Sequence, residues 1–232
     1  MKVFVLAGGE GTRLRPYTYT IPKPMMELGG KPILQYVLEN LKRCGFKDVI
    51  ITAGYEHEKI TDYFGDGKKF GMKLEYSIEK EKLNTAGSIV RHKQDKTFAV
   101  VMGDHLTNLD LSKMLDHHKK SGALATIALY KSSLPLEYGV AEIKDNKITG
   151  FREKPLLEHL YNTAIYIFEP EIFDHINEKE DFAKDVIPRL IAADKKVVPY
   201  VFDDVWFDIG RVSDYEQLVE TFKIMKLFND LR

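Results

Sequence analysis

The sequence predicts an α/β fold, a three-layer, mostly parallel sheet with helices on both faces and a small hairpin annex. Short apolar runs alternate with amphipathic segments through the first half of the chain, the rhythm of strand–helix–strand units. A glycine-rich turn, Gly8-Gly9-Glu10-Gly11, directly follows the first apolar run, where open α/β sheets gather ligands. After Lys131 the rhythm changes to short strand-like runs joined by a turn, and these supply the annex.

In chain order, residues 2–6 are a buried strand of apolar residues. Pro32 opens a helix with Ile33, Leu34, Val37, Leu38 and Leu41 on one face and Gly45 near its stop. Residues 48–53 read as a strand, 57–64 as a helix, Gly65-Asp66-Gly67 as a turn and 73–78 as a strand. A helix is expected over 85–91, then a buried strand over 97–102 that ends at Gly103-Asp104. Residues 111–121 are helical and 123–130 extended. The runs 140–143 and 147–153, split by Asp145-Asn146, predict a hairpin. A strand over 163–168, helices near Glu171 and Ala183 and a strand near 197–202 follow. A last helix from about Ser213 aligns Tyr215, Leu218, Phe222 and Met225. Core packing is the default explanation for that stripe, and a contact within a homo-oligomer is the second.

Composition narrows the function. With 232 residues, 44% hydrophobic and 30% charged, the chain can bury a domain-sized core and remain in water. A formal net charge of −1 excludes the broadly basic surface of a nucleic-acid binder, although local basic loops can still hold a nucleotide. The single cysteine, Cys44, excludes an intramolecular disulfide and a multi-cysteine metal site, and reads as a packed thiol. No apolar run approaches the roughly 18 residues of a membrane span, and no leader precedes the first strand. A cytoplasmic protein without membrane contact is the expectation.

The segment from Leu6 to Leu14, followed by Pro22-Lys23-Pro24, carries most of the chemistry. Its glycines let backbone N–H groups surround an oxyanion, and Arg13 and Lys23 add cationic donors, so a phosphate-bearing ligand suits it. The spacing is not that of the common NTPase loop, because no Lys-Ser or Lys-Thr follows the last glycine. The dinucleotide fingerprint fails too, since Leu14 stands at its third glycine. No acid ends the strand at Ile51-Thr52 to hold a ribose, which weakens an oxidoreductase reading.

From Leu6 to Pro32 the chain resembles the signature of the sugar-phosphate nucleotidyltransferases, also called nucleoside-diphosphate-sugar pyrophosphorylases. Their pattern runs Leu-Ala-Gly-Gly-x-Gly-Thr-Arg-Leu-x-Pro, then Pro-Lys-Pro, then the equivalent of Gly30-Lys31-Pro32. The resemblance reaches from Lys2 to about Tyr215 and implies a Rossmann-like nucleotidyltransferase fold. It implies a single domain over 1–232, whose first 130 or so residues bind nucleotide and whose remainder binds the sugar phosphate. Many members continue into a C-terminal left-handed β-helix, and none is expected here.

The implied reaction moves a nucleoside monophosphate from a nucleoside triphosphate to a sugar 1-phosphate and releases pyrophosphate, with Mg²⁺. Leu6, Ala7, Gly8, Gly9, Gly11 and Thr12 would hold the nucleotide. Arg13 would take the β- and γ-phosphates, Lys23 the transferring phosphate and Lys154 the sugar phosphate. Asp104, in a Gly-Asp motif, and Asp208, in Trp206-Phe207-Asp208-Ile209-Gly210, match the family's metal-binding aspartates. Mg²⁺ is a hard ion that takes such oxygens. Taken alone, an aspartate at a strand end is more often a cap or a solvated turn. His105 can reach a metal, and a neutral hydrogen-bonding ring is its first reading. Glu153-Lys154-Pro155, with Gly139 before it and Asn162-Thr163 after it, resembles the family's sugar pocket.

Residues 76–87 resemble the base-reading loop, with Glu79, Thr85, Ala86 and Gly87 as its contacts. Pyrimidine-using members commonly carry glutamine where Glu79 stands. A carboxylate only accepts, and guanine offers two adjacent donors, so Glu79 favours guanine unless it simply faces water. Mannose-1-phosphate guanylyltransferase is the first reading. Heptose-1-phosphate guanylyltransferase and glucose-1-phosphate thymidylyl- or uridylyltransferase are the alternatives. Asn84 and Ala164 replace glycines usual in the family and bear on activity and sugar choice. A non-catalytic nucleotide-sugar-binding regulatory subunit is the rival of another class. Retention of Arg13, Lys23, Asp104, Lys154 and Asp208 opposes it.

Overall fold

The computed structural model describes residues 1–230, with side chains described as far as Ile224, so Met225 of the expected stripe lies outside the described side chains. The strands are β1 (Val3–Ala7), β2 (Glu27–Leu28), β3 (Lys31–Pro32), β4 (Asp48–Ala53), β5 (Lys73–Ile78), β6 (Phe98–Met102) and β7 (His105–Thr107). They continue as β8 (Ala125–Pro135), β9 (Val140–Lys144), β10 (Lys147–Arg152), β11 (Leu156–Phe168), β12 (Val197–Phe202) and β13 (Trp206–Asp208). The helices are α1 (Ile33–Arg43), α2 (His57–Phe64), α3 (Asn84–Gly87), α4 (Leu111–Ser121), α5 (Ile187–Ala192) and α6 (Val212–Asp230).

Seven strands form one sheet in the order β12-β8-β11-β6-β1-β4-β5. Every neighbouring pair is parallel except the two made by β11. The strand β1 explains this arrangement. All five of its residues are buried, as a strand covered on both faces requires. Val3, Val5 and Ala7 join the core that packs α1, α2 and α4. Phe4 and Leu6 join the opposite core of Phe98, Phe168, Phe182 and Leu190. Burying each such large side chain stabilises the fold by roughly 1.5–3 kcal/mol. Among the described residues no helix is long and apolar enough to cross a membrane.

The local signals act as chemistry dictates. Asp110 accepts from the N–H groups of Ser112 and Lys113 and caps α4, which Gly122 ends in the left-handed region. Asp145 and Asn146 sit at φ 49° and 58°, the pair of positive values that lets a two-residue turn close β9 on β10. The helix expected over 85–91 is instead the single turn α3 and a separate 3₁₀ turn, Val90–His92. The N–H groups of Ala86 and Gly87, which a helix starting here would leave unpaired, donate to the Glu180 carbonyl. The helices expected near Glu171 and Ala183 are a 3₁₀ segment, Pro170–His175, and a π-turn, Phe182–Val186, that runs into α5. β8 and β11 run past the expected 123–130 and 163–168, pairing as a ribbon beyond the sheet. Where the ribbon rejoins the sheet the register shifts between Asn162 and Tyr166, and Ala164 takes φ 54°.

At the sheet end opposite the glycine-rich loop, a polar clamp joins three elements. His118 of α4 is 1% exposed, and its Nε2–H donates to Glu169 at 3.0 Å. Its Nδ1 accepts from the Thr126 hydroxyl at 2.7 Å, and Thr97 also donates to Glu169 at 2.9 Å. Burial pushes the imidazole pKa down, with the neighbouring His117 acting in the same direction, and this outweighs the opposing pull of Glu169. Below the unfolded value of about 6.5 the unfolded chain therefore binds more protons than the folded one. This contribution to stability is complete above that pH and is lost as pH falls through it. An NMR titration should place the His118 midpoint below about 6.5, and a midpoint at or above that value would refute the assignment.

Candidate active site

β1 and β6 are neighbours from which the chain runs to opposite sides of the sheet, from β1 to β4 and from β6 to β8, so a crevice opens at the carboxyl ends of these strands. A cavity of about 780 Å³ occupies the crevice. Its walls include Leu6–Leu14 after β1, Gly54 and Tyr55 after β4, Glu79 after β5 and Asp104 after β6. The size suits a nucleotide-sized ligand.

The glycine-rich loop is tightly folded. Gly11 sits at φ 62°, and a Cβ there would lie 3.0 Å from Thr18 and 3.1 Å from Lys23, so no larger residue fits. The Thr18 hydroxyl donates to the Gly11 carbonyl at 2.7 Å and ties the loop to the following turn. Beneath it, Leu14, Met26, Ile33 and Ile209 form a small core against Tyr215 and Leu218 of α6. Packing is thus the role of the C-terminal stripe as far as it is described. Arg13 is exposed beside Gly210 and makes no ion pair among the described residues.

Below the loop, β13 pairs antiparallel with β7 and sets Asp208 opposite His105. Two carboxylates from opposite halves of the chain thereby meet one cation. Lys23 Nζ lies 2.5 Å from Asp104 Oδ2 and 3.4 Å from Asp208 Oδ1. His105 Nε2 is 3.3 Å from Asp208 Oδ1, and its Nδ1–H donates to the Thr163 carbonyl at 3.1 Å. Burial alone would push the His105 pKa down, but the hydrogen bond to Asp208 and the charges of both aspartates outweigh it and raise it. The ring expected to be neutral is therefore biased toward its protonated form. The same hydrogen bond, with the charges of His105 and Lys23, holds the Asp208 carboxyl well below the usual carboxylate range against its partial burial. Asp104 Oδ1 is buried without a hydrogen-bond partner. A buried, unpartnered carboxylate oxygen beside a second carboxylate is a donor set that fits a hard divalent cation.

Glu79 does not simply face water. It is half-buried against Gly8, whose added Cβ would lie 3.2 Å from Glu79 Oε2. Desolvation raises its carboxyl pKa, and the polar groups around it only partly offset this. Glu79 Oε1 and the fully buried Thr52 hydroxyl lack hydrogen-bond partners. Thr85 also lines the cavity, whereas Ala86 and Gly87 are buried behind it.

Gly139, Glu153, Lys154, Asn162 and Thr163 do not line this cavity. Gly139 and Glu153 do meet, since a Cβ on Gly139 would fall 2.7 Å from Glu153 Oε2. Lys154 is exposed at φ 44°. Asn162 spends its side chain on the Ala164 N–H and the Tyr166 hydroxyl. The Thr163 hydroxyl is buried and donates to the Ala128 carbonyl at 2.9 Å. Only its carbonyl reaches the charge cluster, through His105.

The model of the nucleotidyl transferase family matches residues 2–223. The chain belongs to this family. A UTP–glucose-1-phosphate uridylyltransferase of Synechocystis is 38% identical, over 94% of this chain and 62% of the relative. A D-glycero-α-D-manno-heptose 1-phosphate guanylyltransferase of Aneurinibacillus thermoaerophilus is 34% identical, over 94% of this chain and 96% of the relative. A probable mannose-1-phosphate guanylyltransferase of rice is 35% identical over 93% of this chain. This chain spans only 62–63% of the length of the uridylyltransferase and of the mannose-1-phosphate relatives. Among solved structures, HddC from Yersinia pseudotuberculosis, complexed with GMP-PN, superposes with a TM-score of 0.76 at 26% identity, over 95% of this chain and 99% of HddC.

This member of the family also lines its cavity with Thr52, Tyr55, Ser88, Asp181 and Lys184, which the sequence analysis did not single out. Thr52 and Tyr55 follow from strand-end position and were findable on that ground. Asp181 and Lys184 arrive through the fold of a distant segment and leave no local signal. The charge cluster yields a direct test. Lys23→Met removes the cation and leaves Asp104, whose side chain is 15% exposed, without its 2.5 Å partner. Urea unfolding at neutral pH should show a loss of about 2–4 kcal/mol, and an unchanged midpoint would refute the pairing.

Proposed function

We propose that the chain transfers a nucleoside monophosphate from GTP to a manno-configured sugar 1-phosphate, giving a GDP-sugar and pyrophosphate, with Mg²⁺. The observation that carries this reading is the placement of Lys23 between Asp104 and Asp208 at the foot of the glycine-rich cavity. Residues 1–130 or so are read as the nucleotide half and the remainder as the sugar-phosphate half. The non-pyrimidine base is supported by half-buried Glu79, whose free oxygen suits the adjacent donors of guanine. The similarity to the heptose 1-phosphate guanylyltransferase, along nearly its whole length, supports a heptose or mannose phosphate. UTP with glucose 1-phosphate is the second reading, favoured by the 38% identity to the Synechocystis enzyme.

On this reading no protein nucleophile is needed. A sugar-phosphate oxygen attacks the α-phosphorus and its new P–O bond replaces the bond to the departing pyrophosphate. The nucleophile is already anionic, so positioning and charge stabilisation carry most of the barrier reduction. The N–H groups of Gly8–Thr12 cradle the triphosphate, and exposed Arg13 takes the charge that builds on pyrophosphate. Lys23 turns from the carboxylates toward the transferring phosphate. Asp104 and Asp208 would hold Mg²⁺, which when bound neutralises phosphate charge and orients the α-phosphate. Lys154, Glu153 and Gly139 are assigned to the sugar phosphate, and Asn162 and Thr163, whose side chains are already paired, support that wall. Their distance from the cavity calls for movement of the exposed hairpin β9–β10 or for contact along the ribbon.

Pyrophosphate release, measured over a panel of nucleoside triphosphates and sugar 1-phosphates with Mg²⁺, should be fastest with GTP and mannose or heptose 1-phosphate. Tight nucleotide-sugar binding without turnover of any pair would favour a regulatory subunit instead. Arg13→Ala should lower kcat/KM by about 100-fold or more while the melting temperature holds, because the guanidinium is exposed. Near-normal turnover would remove Arg13 from the mechanism. Glu79→Gln should shift the base preference toward a pyrimidine by on the order of tenfold, and an unchanged GTP/UTP ratio would sink the guanine assignment.

A further inference from the structure

One wall of the cavity comes from the segment between β11 and α5, far in sequence from the glycine-rich loop and from residues 76–87. Asp181 and Lys184 of this segment line the cavity beside Glu79 and Thr85. Five hydrogen bonds fasten the loop bearing Glu79 to it. The Thr85 hydroxyl donates to Asp181 Oδ2 at 2.9 Å and accepts from the Phe182 N–H at 2.9 Å. The N–H groups of Ala86 and Gly87 share the Glu180 carbonyl at 2.9 and 3.2 Å. Asn84 donates to the Lys179 carbonyl at 2.7 Å. On the surface, Glu81 pairs with Lys179 at 2.8 Å. The approach is so close that a Cβ on Gly87 would lie 2.6 Å from the Lys179 nitrogen.

A threonine hydroxyl has one proton, and that of Thr85 is spent on Asp181. Asp181 is committed as well. Its Oδ1 accepts from the N–H groups of Ala183 and Lys184 and so caps the π-turn that carries Lys184. The segment itself is braced, since Arg189 forks onto Glu180 and holds that carboxyl at about 2. Ser88, which follows α3, spends its one proton on the Asn84 carbonyl, and the backbone of Leu83, which precedes α3, favours the Glu79 carboxylate. Displacing Thr85 therefore displaces the groups that set Glu79.

We propose that Thr85 and Asp181 are positioning residues, a latch through which the C-terminal half of the chain sets the base-reading loop for nucleotide. The proposal rests on the reading of residues 76–87 as that loop. Thr85 acts through Asp181 and not by touching the nucleotide with its hydroxyl. A loop held in its binding conformation spares the ligand the ordering cost, so the latch is felt in nucleotide affinity. It is not felt at the sugar phosphate.

The test compares wild type with Thr85→Val, which keeps the shape and loses the hydroxyl, and with Thr85→Ser, which keeps the hydroxyl. Asp181→Ser is the second variant, since serine still caps the turn but is too short to reach Thr85. GTP binding is followed by calorimetry, and KM is measured for GTP and for mannose 1-phosphate. Thr85→Val and Asp181→Ser should each weaken GTP about tenfold in both Kd and KM, with Thr85→Ser within about twofold of wild type. The KM for mannose 1-phosphate should stay unchanged in all of them. Folded variants that bind GTP as wild type does, or that lose both substrates equally, would overturn the latch. A wild type that binds GTP but turns over no substrate pair would overturn the proposed reaction, and the Kd comparison would still decide the latch.

Discussion

The site depends on one electrostatic arrangement, a single ammonium group held between two carboxylates that the chain brings from its two halves. Lys23 reaches Asp104 and Asp208 only because β13 lies along β7. That three-residue pairing is among the smallest elements of the fold, and the charge cluster stabilises it in return. Asp104 keeps a buried oxygen without a partner, so its charges are balanced but its lone pairs are not saturated. Such a cluster is costly when it is broken from one side, and it is ready to rearrange when a cation and phosphates enter.

Two pieces from beyond residue 170 brace the glycine-rich half. α6 lays Tyr215 and Leu218 under Leu14, Met26 and Ile33, so the glycine-rich loop rests on the C-terminal helix. Tyr17 donates to Glu216 and packs edge-on against Tyr215, extending the brace to the turn after the loop. The segment around Glu180 does the same for residues 79–87. Each loop holds only a single turn of its own and takes further order from a distant element.

Much of this was legible in the sequence where the physics is local. The buried run of β1, the cap at Asp110 and the turn at Asp145-Asn146 each act through neighbours a few residues away. The Gly-Asp and Trp-x-Asp motifs were legible as a pair. The β7–β13 ribbon that unites them was not, since neither strand carries enough residues for a periodic pattern. The helix expected over 85–91 is shortened to one turn and a separate 3₁₀ turn, and its first amides donate to the distant Glu180 carbonyl, a contact no local propensity records. Asn84 and Ala164 fared differently. Both take positive φ, as the glycines they replace would allow, so the backbone shape survives at a local strain of roughly 1–2 kcal/mol. For Thr163 and Asn162, the side chains that hydroxyl chemistry would assign to a ligand are instead spent inside the sheet and its bulge.

The choice of base turns on the same accounting of polar groups. Glu79 is withdrawn from water far enough for desolvation to raise its pKa, yet one oxygen has no donor. In the ligand-free site that oxygen is a standing liability. A ligand with two adjacent N–H donors removes it, and the gain exceeds that of an ordinary exchange of water for protein because the group starts out unsatisfied. A pyrimidine offers this carboxylate one donor and sets a carbonyl oxygen beside its negative charge. The discrimination proposed for this member of the family thus resides less in what guanine gains than in what a pyrimidine leaves unpaired.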